Sequence, residues 1–246
     1  MHRSLPWSIP IGLIFLWATP APAKDIALTF DSPPAKTKKA ATRTDAVSLS
    51  FAPKPTQTSP TPITQVVRHA LETLFHGGSD SLVARAVGSA EGTRTPDGGY
   101  TAAYYGHVDP GNHKWNLGSF SYQHGAKSPV DADDKQLKRL YKQALDLRQQ
   151  ASQHQVTLSL AEELNGIDLA NQAPLAALDR GYIDWLAIAR QQPLGEADRI
   201  IWARTRAFLD PDSGRWNAPG LGNTLNSIRW DQARRQQAVQ QAIEMN

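Results

Sequence analysis

Apolar side chains recur at helical spacing along most of the chain beyond residue 62. Ile63, Val66, Val67, Ala70, Leu71, Leu74 and Phe75 form one stripe behind Thr61-Pro62, a cap residue followed by a first-turn proline, and Gly77-Gly78 stop it. A second stripe of Leu82, Val83, Ala86, Val87 and Ala90 opens at Ser79 or Asp80 and ends at Gly92, with Glu91 in its last turn. From Thr93 to Ser128 the period vanishes and Gly, Tyr, Asn and Asp take over. Asp97-Gly98 and Pro110-Gly111 are turn dipeptides, so this stretch predicts loops and one short hairpin. After Pro129, Leu137, Leu140, Tyr141, Ala144 and Leu145 share a face behind the acidic turn Asp131, Asp133, Asp134. Further helical patterns run over 158–172, 174–190, 196–209 and 224–244. No longer repeat period is present. The pattern predicts a mainly α (α+β) domain over 63–246, a helix-and-loop part at 63–128 followed by a helical part at 129–246.

The first 62 residues read differently. His2 and Arg3 precede an apolar stretch from Leu5 to Ala18, and Thr19-Pro20-Ala21-Pro22-Ala23 supplies small residues for cleavage after Ala23, so 1–23 reads as a signal peptide. Retention as a membrane anchor is the alternative, but Pro6, Pro10 and Gly12 interrupt a stretch shorter than the roughly 20 residues a span needs. Residues 24–62 are rich in Pro, Ser, Thr and Lys, a composition that buries too little apolar area to offset ordering entropy, and they predict a disordered linker.

Composition narrows the chemistry. The 246 residues include no cysteine, which excludes a disulfide scaffold, a thiolate metal site and a cysteine nucleophile. The net charge of +3 is not spread evenly. With Arg3 in the leader and six basic against three acidic residues in the linker, 63–246 holds 19 basic and 20 acidic side chains. A near-neutral body is a poor match for phosphate tracking, so nucleic acid is not an expected partner.

Glu91 is the first candidate for chemistry. A carboxylate in the last turn of a helix faces the negative end of the macrodipole, and the apolar stripe beside it is a second influence favouring the uncharged acid. A protonated carboxyl is what general-acid cleavage of a glycosidic bond requires. The loop that follows supplies stacking rings in Tyr100, Tyr104, Tyr105, Trp115 and Tyr122, and polar groups in Arg94, His107, Asn112, Asn116 and Gln123. Rings and amides together suit a saccharide, whose faces are apolar and whose rim is polar. The same residues equally describe an aromatic mini-core holding a long loop together.

Ala86-Val87-Gly88-Ser89-Ala90-Glu91-Gly92-Thr93-Arg94, followed by a Gly/Tyr-rich turn segment, resembles the catalytic-helix end of the lysozyme-like superfamily, in particular phage lambda-type muramidases and lytic transglycosylases. The likeness spans residues 80–125. It implies a lysozyme-like helical domain with a small β-hairpin, Glu91 as general acid and peptidoglycan glycan strands as substrate. The leader points to a periplasmic or secreted location with no stable membrane insertion once it is cleaved, the cleavage scheme calls for no cofactor, and a monomer is expected. A hydrolase would need a second carboxylate, for which Asp97 and Asp109 are the candidates, each equally explained by its turn. A lytic transglycosylase would not. Two rivals stay open: a non-catalytic glycan-binding or scaffolding protein, and a metal-dependent hydrolase using His107, Asp109, His113 and His124. The arginines at 199, 204, 206, 215 and 229 read as a solvated face ion-paired to Glu196, Asp198 and Asp231, or as a groove for muropeptide carboxylates.

Overall fold

In a computed structural model of the protein, residues 70–246 are described. The expected leader 1–23, the linker 24–62 and the start of the first helix at 63–69 lie outside the described residues. Residues 70–75 are the described end of α1, anchored by fully buried Leu71. A short 3-10 turn, Gly78–Asp80, leads to α2 (Leu82–Glu91), which opens where the Ser81 side chain accepts from the Ala84 N–H. The remaining helices are α3 (Pro129–Gln153), α4 (Leu160–Gln172), α5 (Tyr182–Ala189), α6 (Glu196–Arg206) and α7 (Leu225–Glu244). Between α2 and α3 lies one antiparallel hairpin, β1 (His107–Val108) and β2 (Trp115–Asn116), with His107 opposite Asn116. The domain is mainly α, and the hairpin turns over Pro110-Gly111 as the turn dipeptide predicts.

The helices pack around α4, in which every residue from Ala161 to Ala170 is buried. Against it lie α2, α3 and α7, while α5 sits on α6 and α6 on α7. Val83, Val87, Leu140, Leu147, Leu164, Ile167, Ile183 and Ile228 fill the space between them. Each such side chain contributes about 1.5–3 kcal/mol by leaving water. A helix buried on all sides is normally apolar, yet α4 carries Glu162, Glu163 and Asp168. Each meets an arginine: Glu162 meets Arg190, Glu163 meets Arg148, and Asp168 meets Arg204 and Arg235. A buried charge persists only when paired and hydrogen-bonded, and all three are.

Three sequence expectations change. The helix expected over 174–190 is broken, because Gly181 takes a left-handed conformation (φ 82°). A π-helical turn, Leu175–Asp179, precedes the break and α5 follows it. A Cβ at Gly181 would lie 2.4 Å from Asp184 Oδ2, so the close turn requires glycine. Asp133, expected in a capping turn, points inward and accepts from both the Ser119 N–H (2.6 Å) and the Ser119 hydroxyl (2.8 Å). Ser128 caps α3 instead. Arg204, expected on a solvated face, is fully buried, because α6 turns it toward Asp168 rather than toward Glu196 or Asp198.

Candidate active site

Helix α2 stops at Gly92, whose left-handed φ of 76° lets its own N–H and that of Thr93 reach back to the carbonyls of Ser89 and Gly88. Glu91 is therefore the last helical residue, with its side chain 16% exposed. The electrostatic awkwardness of that position is met by α7, which packs along α2 and brings two guanidinium groups to its end. Arg234 Nη1 donates to the Ala90 carbonyl (2.9 Å), and Arg235 Nη2 donates to Glu91 Oε1 (2.6 Å). Cations at a helix C-terminus are the expected complement of its dipole.

Asn171, at the end of α4, adds a second donor to the same oxygen, Nδ2 to Oε1 at 3.0 Å, and also donates to the Phe120 carbonyl (3.3 Å). Its own amide oxygen is held by Gln136 Nε2 of α3 (2.8 Å). Oε1 of Glu91 is thus fixed from two sides, while Oε2 makes no hydrogen bond among the described residues. The sequence places this carboxyl beside an apolar stripe, and the structure adds polar partners to it. The neighbours of the carboxylate are a guanidinium and an amide, and its geometry is that of an ion pair.

The ion pair continues inward. Arg235 Nε and Nη2 donate to Asp168 Oδ2 and Oδ1 at 2.9 and 2.7 Å, and Arg204 Nη2 donates to Asp168 Oδ2 at 2.7 Å. Glu91, Arg235, Asp168 and Arg204 form an alternating chain of two negative and two positive groups. Burial alone would push Asp168 up, but Arg235 and Arg204 more than offset it and hold the carboxyl below the usual aspartate range. Burial works against the Arg235 charge as well, yet Asp168 and Glu91 hold its pKa above the ordinary arginine value.

The loop residues divide into a framework and a display. Arg94, expected to bind substrate, is buried: it donates to the Ser79 carbonyl (2.7 Å), the Gly98 carbonyl (2.6 Å) and the Ser119 hydroxyl (3.1 Å), and lies 4.0 Å over the Tyr100 ring. Tyr104 and Asn116 are buried too, and burial pushes the Tyr104 hydroxyl up to about 12. Tyr100, partly exposed, packs on Tyr104 and donates its hydroxyl to Asp80. Asp97 and Asp109 serve their turns: Asp97 Oδ1 accepts from the Thr95 hydroxyl, and Asp109 Oδ1 accepts from the Gly111 and Asn112 N–H groups. The Thr95 hydrogen bond, helped by the Gly99 N–H, holds the Asp97 carboxyl low. His107 Nδ1 is bonded to the Ala103 carbonyl, Asn112 donates to Gln123, and Tyr122 packs edge-on to His124. Tyr105 and Trp115 are the displayed rings, 65% and 57% exposed. Trp115 lies across Gly106, where a Cβ would come within 2.1 Å of the indole.

No protein-family model matches the chain, and no curated protein and no solved structure matches it. The site must therefore be read from its own chemistry. Among the described residues, no group of three or more His, Asp or Glu side chains is placed to hold a metal ion, and the rival set of His107, Asp109, His113 and His124 is not gathered. What the structure does gather around Glu91 comes from far along the chain. Asn171 is 80 residues away and Arg235 is 144. No local spacing marks either one.

Proposed function

We propose that this chain is an exported, lysozyme-like protein that cleaves the β-1,4-linked glycan strands of peptidoglycan in the periplasm or outside the cell, with Glu91 as the proton-transferring group. The observation that carries the reading is the Glu91 carboxylate at the end of α2, with Oε1 locked by Asn171 and Arg235 and Oε2 left open. Support comes from the loop that meets this helix end through Thr101 Oγ1 on the Gly92 carbonyl (2.9 Å) and through Phe120 on Asn171, because it exposes Tyr105 and Trp115. Exposed rings of this kind stack on sugar faces.

In the proposed cycle a proton on Oε2 passes to the glycosidic oxygen as its bond to C1 breaks. The same carboxylate oxygen then takes the proton of the sugar's own hydroxymethyl group as that oxygen bonds to C1, leaving an anhydro ring. No second carboxylate is needed, which suits a site where Asp97 and Asp109 are committed to turns. Arg235 sets a condition: the cycle begins once Glu91 has taken up a proton and its ion pair has opened, with Arg235 retained by Asp168.

That ion pair also favours a second reading, a glycan-binding or scaffolding module that does not cleave. Purified sacculi separate the two. Cleavage predicts that wild type clears a sacculus suspension and that Glu91→Gln lowers the rate by at least about a hundredfold while still co-sedimenting with sacculi, the order of loss expected for a general acid. The binding module predicts co-sedimentation of both proteins and clearing by neither.

A further inference from the structure

A cavity of about 430 Å³ opens between the end of α4 with its π-helical turn and the loop that joins α6 to α7. Its volume lies within the range of small-ligand sites. Gln172 lines it, and the preceding residue is the Asn171 that holds Glu91. Its walls are largely apolar: Pro174 and Leu175 on one side, Phe208, Pro219 and Leu221 on the other. Leu175 stands at the rim, 61% exposed, and extends the apolar wall to the cavity mouth. π-helical turns such as Leu175–Asp179 are rare and collect at functional sites.

One charged residue lines this cavity, Arg180. Its guanidinium is held in place by the Asn217 carbonyl (Nη1, 3.4 Å) and, more distantly, by Asp210 (Nη2, 3.7 Å), and its side chain is 17% exposed. A fixed guanidinium at an apolar cleft is the arrangement that recognises a carboxylate attached to a small apolar group. The structure assigns this cavity, we infer, to a short peptide of small apolar residues ending in a free α-carboxylate. Arg180 takes the carboxylate, and Leu175 and Phe208 take the methyl-sized side chains. In the proposed function such a peptide is the muropeptide branch of the glycan strand, and the inference rests on that reading for the source of the peptide, though not for its chemistry.

Titration of the full chain with N-acetyl-alanyl-alanine, in L- and D-forms, and with the matching carboxamides tests it. The free acid should bind at least tenfold more tightly than the carboxamide. Leu175→Asp, at an exposed rim position that leaves the fold intact, should weaken the acid at least tenfold, and Arg180→Gln should remove the preference over the carboxamide. Glu91→Gln should bind like wild type. Equal binding of acid and carboxamide, undiminished binding by Leu175→Asp, or no binding overturns the assignment. The sacculus assay gives the independent answer: peptide binding without glycan release leaves this cavity as assigned and removes the cleavage reading, whereas release without peptide binding does the reverse.

Discussion

Glu91 shows how much a single contact alters the meaning of a residue. By position alone it is a carboxyl at an unfavourable helix end, which favours an uncharged acid; with Arg235 2.6 Å away it is one end of a balanced ion-pair chain. Of the loop side chains, Trp115 and Tyr105 are displayed, whereas Arg94 and Tyr104 are framework, and substitution should sort them accordingly. Trp115→Ala should change stability by no more than about 0.5 kcal/mol, as for other exposed positions, yet weaken sacculus binding about tenfold. Gly88→Ala is the opposite case: its Cβ would fall 2.2 Å from Arg94 Cγ, and unfolding by urea should show a loss of about 1–3 kcal/mol from overpacking.

At the scale of elements, α4 decides the fold's character. Asp168→Asn leaves Arg204 and Arg235 without their shared carboxylate in the interior, and should cost about 3–5 kcal/mol in denaturant unfolding. The pH dependence has a definite sign. Because the folded carboxyl lies below its unfolded value of about 3.9, the stabilisation from Asp168 is fully present above that pH and is lost as pH falls through the folded pKa. The stability gap between wild type and Asp168→Asn should therefore be constant from neutrality to about pH 5 and shrink in stronger acid. Helix periodicity made α2, α3, α6 and α7 legible, since an apolar stripe and its caps are local facts. The break at Gly181 was not legible, because glycine within an apolar helical run does not announce a left-handed φ. Nor was the burial of Glu162, Glu163 and Asp168, because each depends on an arginine delivered by a distant element. Within the candidate site, Glu91 and the hairpin could be found from sequence, whereas Asn171 and Arg235 could not, since helix packing alone brings them there.

For the molecule as a whole, charge is divided along the sequence: a surplus of three positive charges in 24–62 and a body of 19 basic and 20 acidic residues. Screening acts on exposed charge, so deleting 24–62 should weaken attachment to sacculi at low ionic strength, leave attachment in about 0.5 M salt unchanged, and spare the intrinsic activity of the body. The central claim is that Glu91 transfers a proton to and from a glycan strand. Mass spectrometry of the soluble products from purified sacculi tests it most directly. Wild type should release disaccharide-peptide fragments lighter by one water than hydrolytic products, and Glu91→Gln should release them at least about a hundredfold more slowly; no fragments from wild type, or release by the variant at a rate near that of wild type, would contradict it.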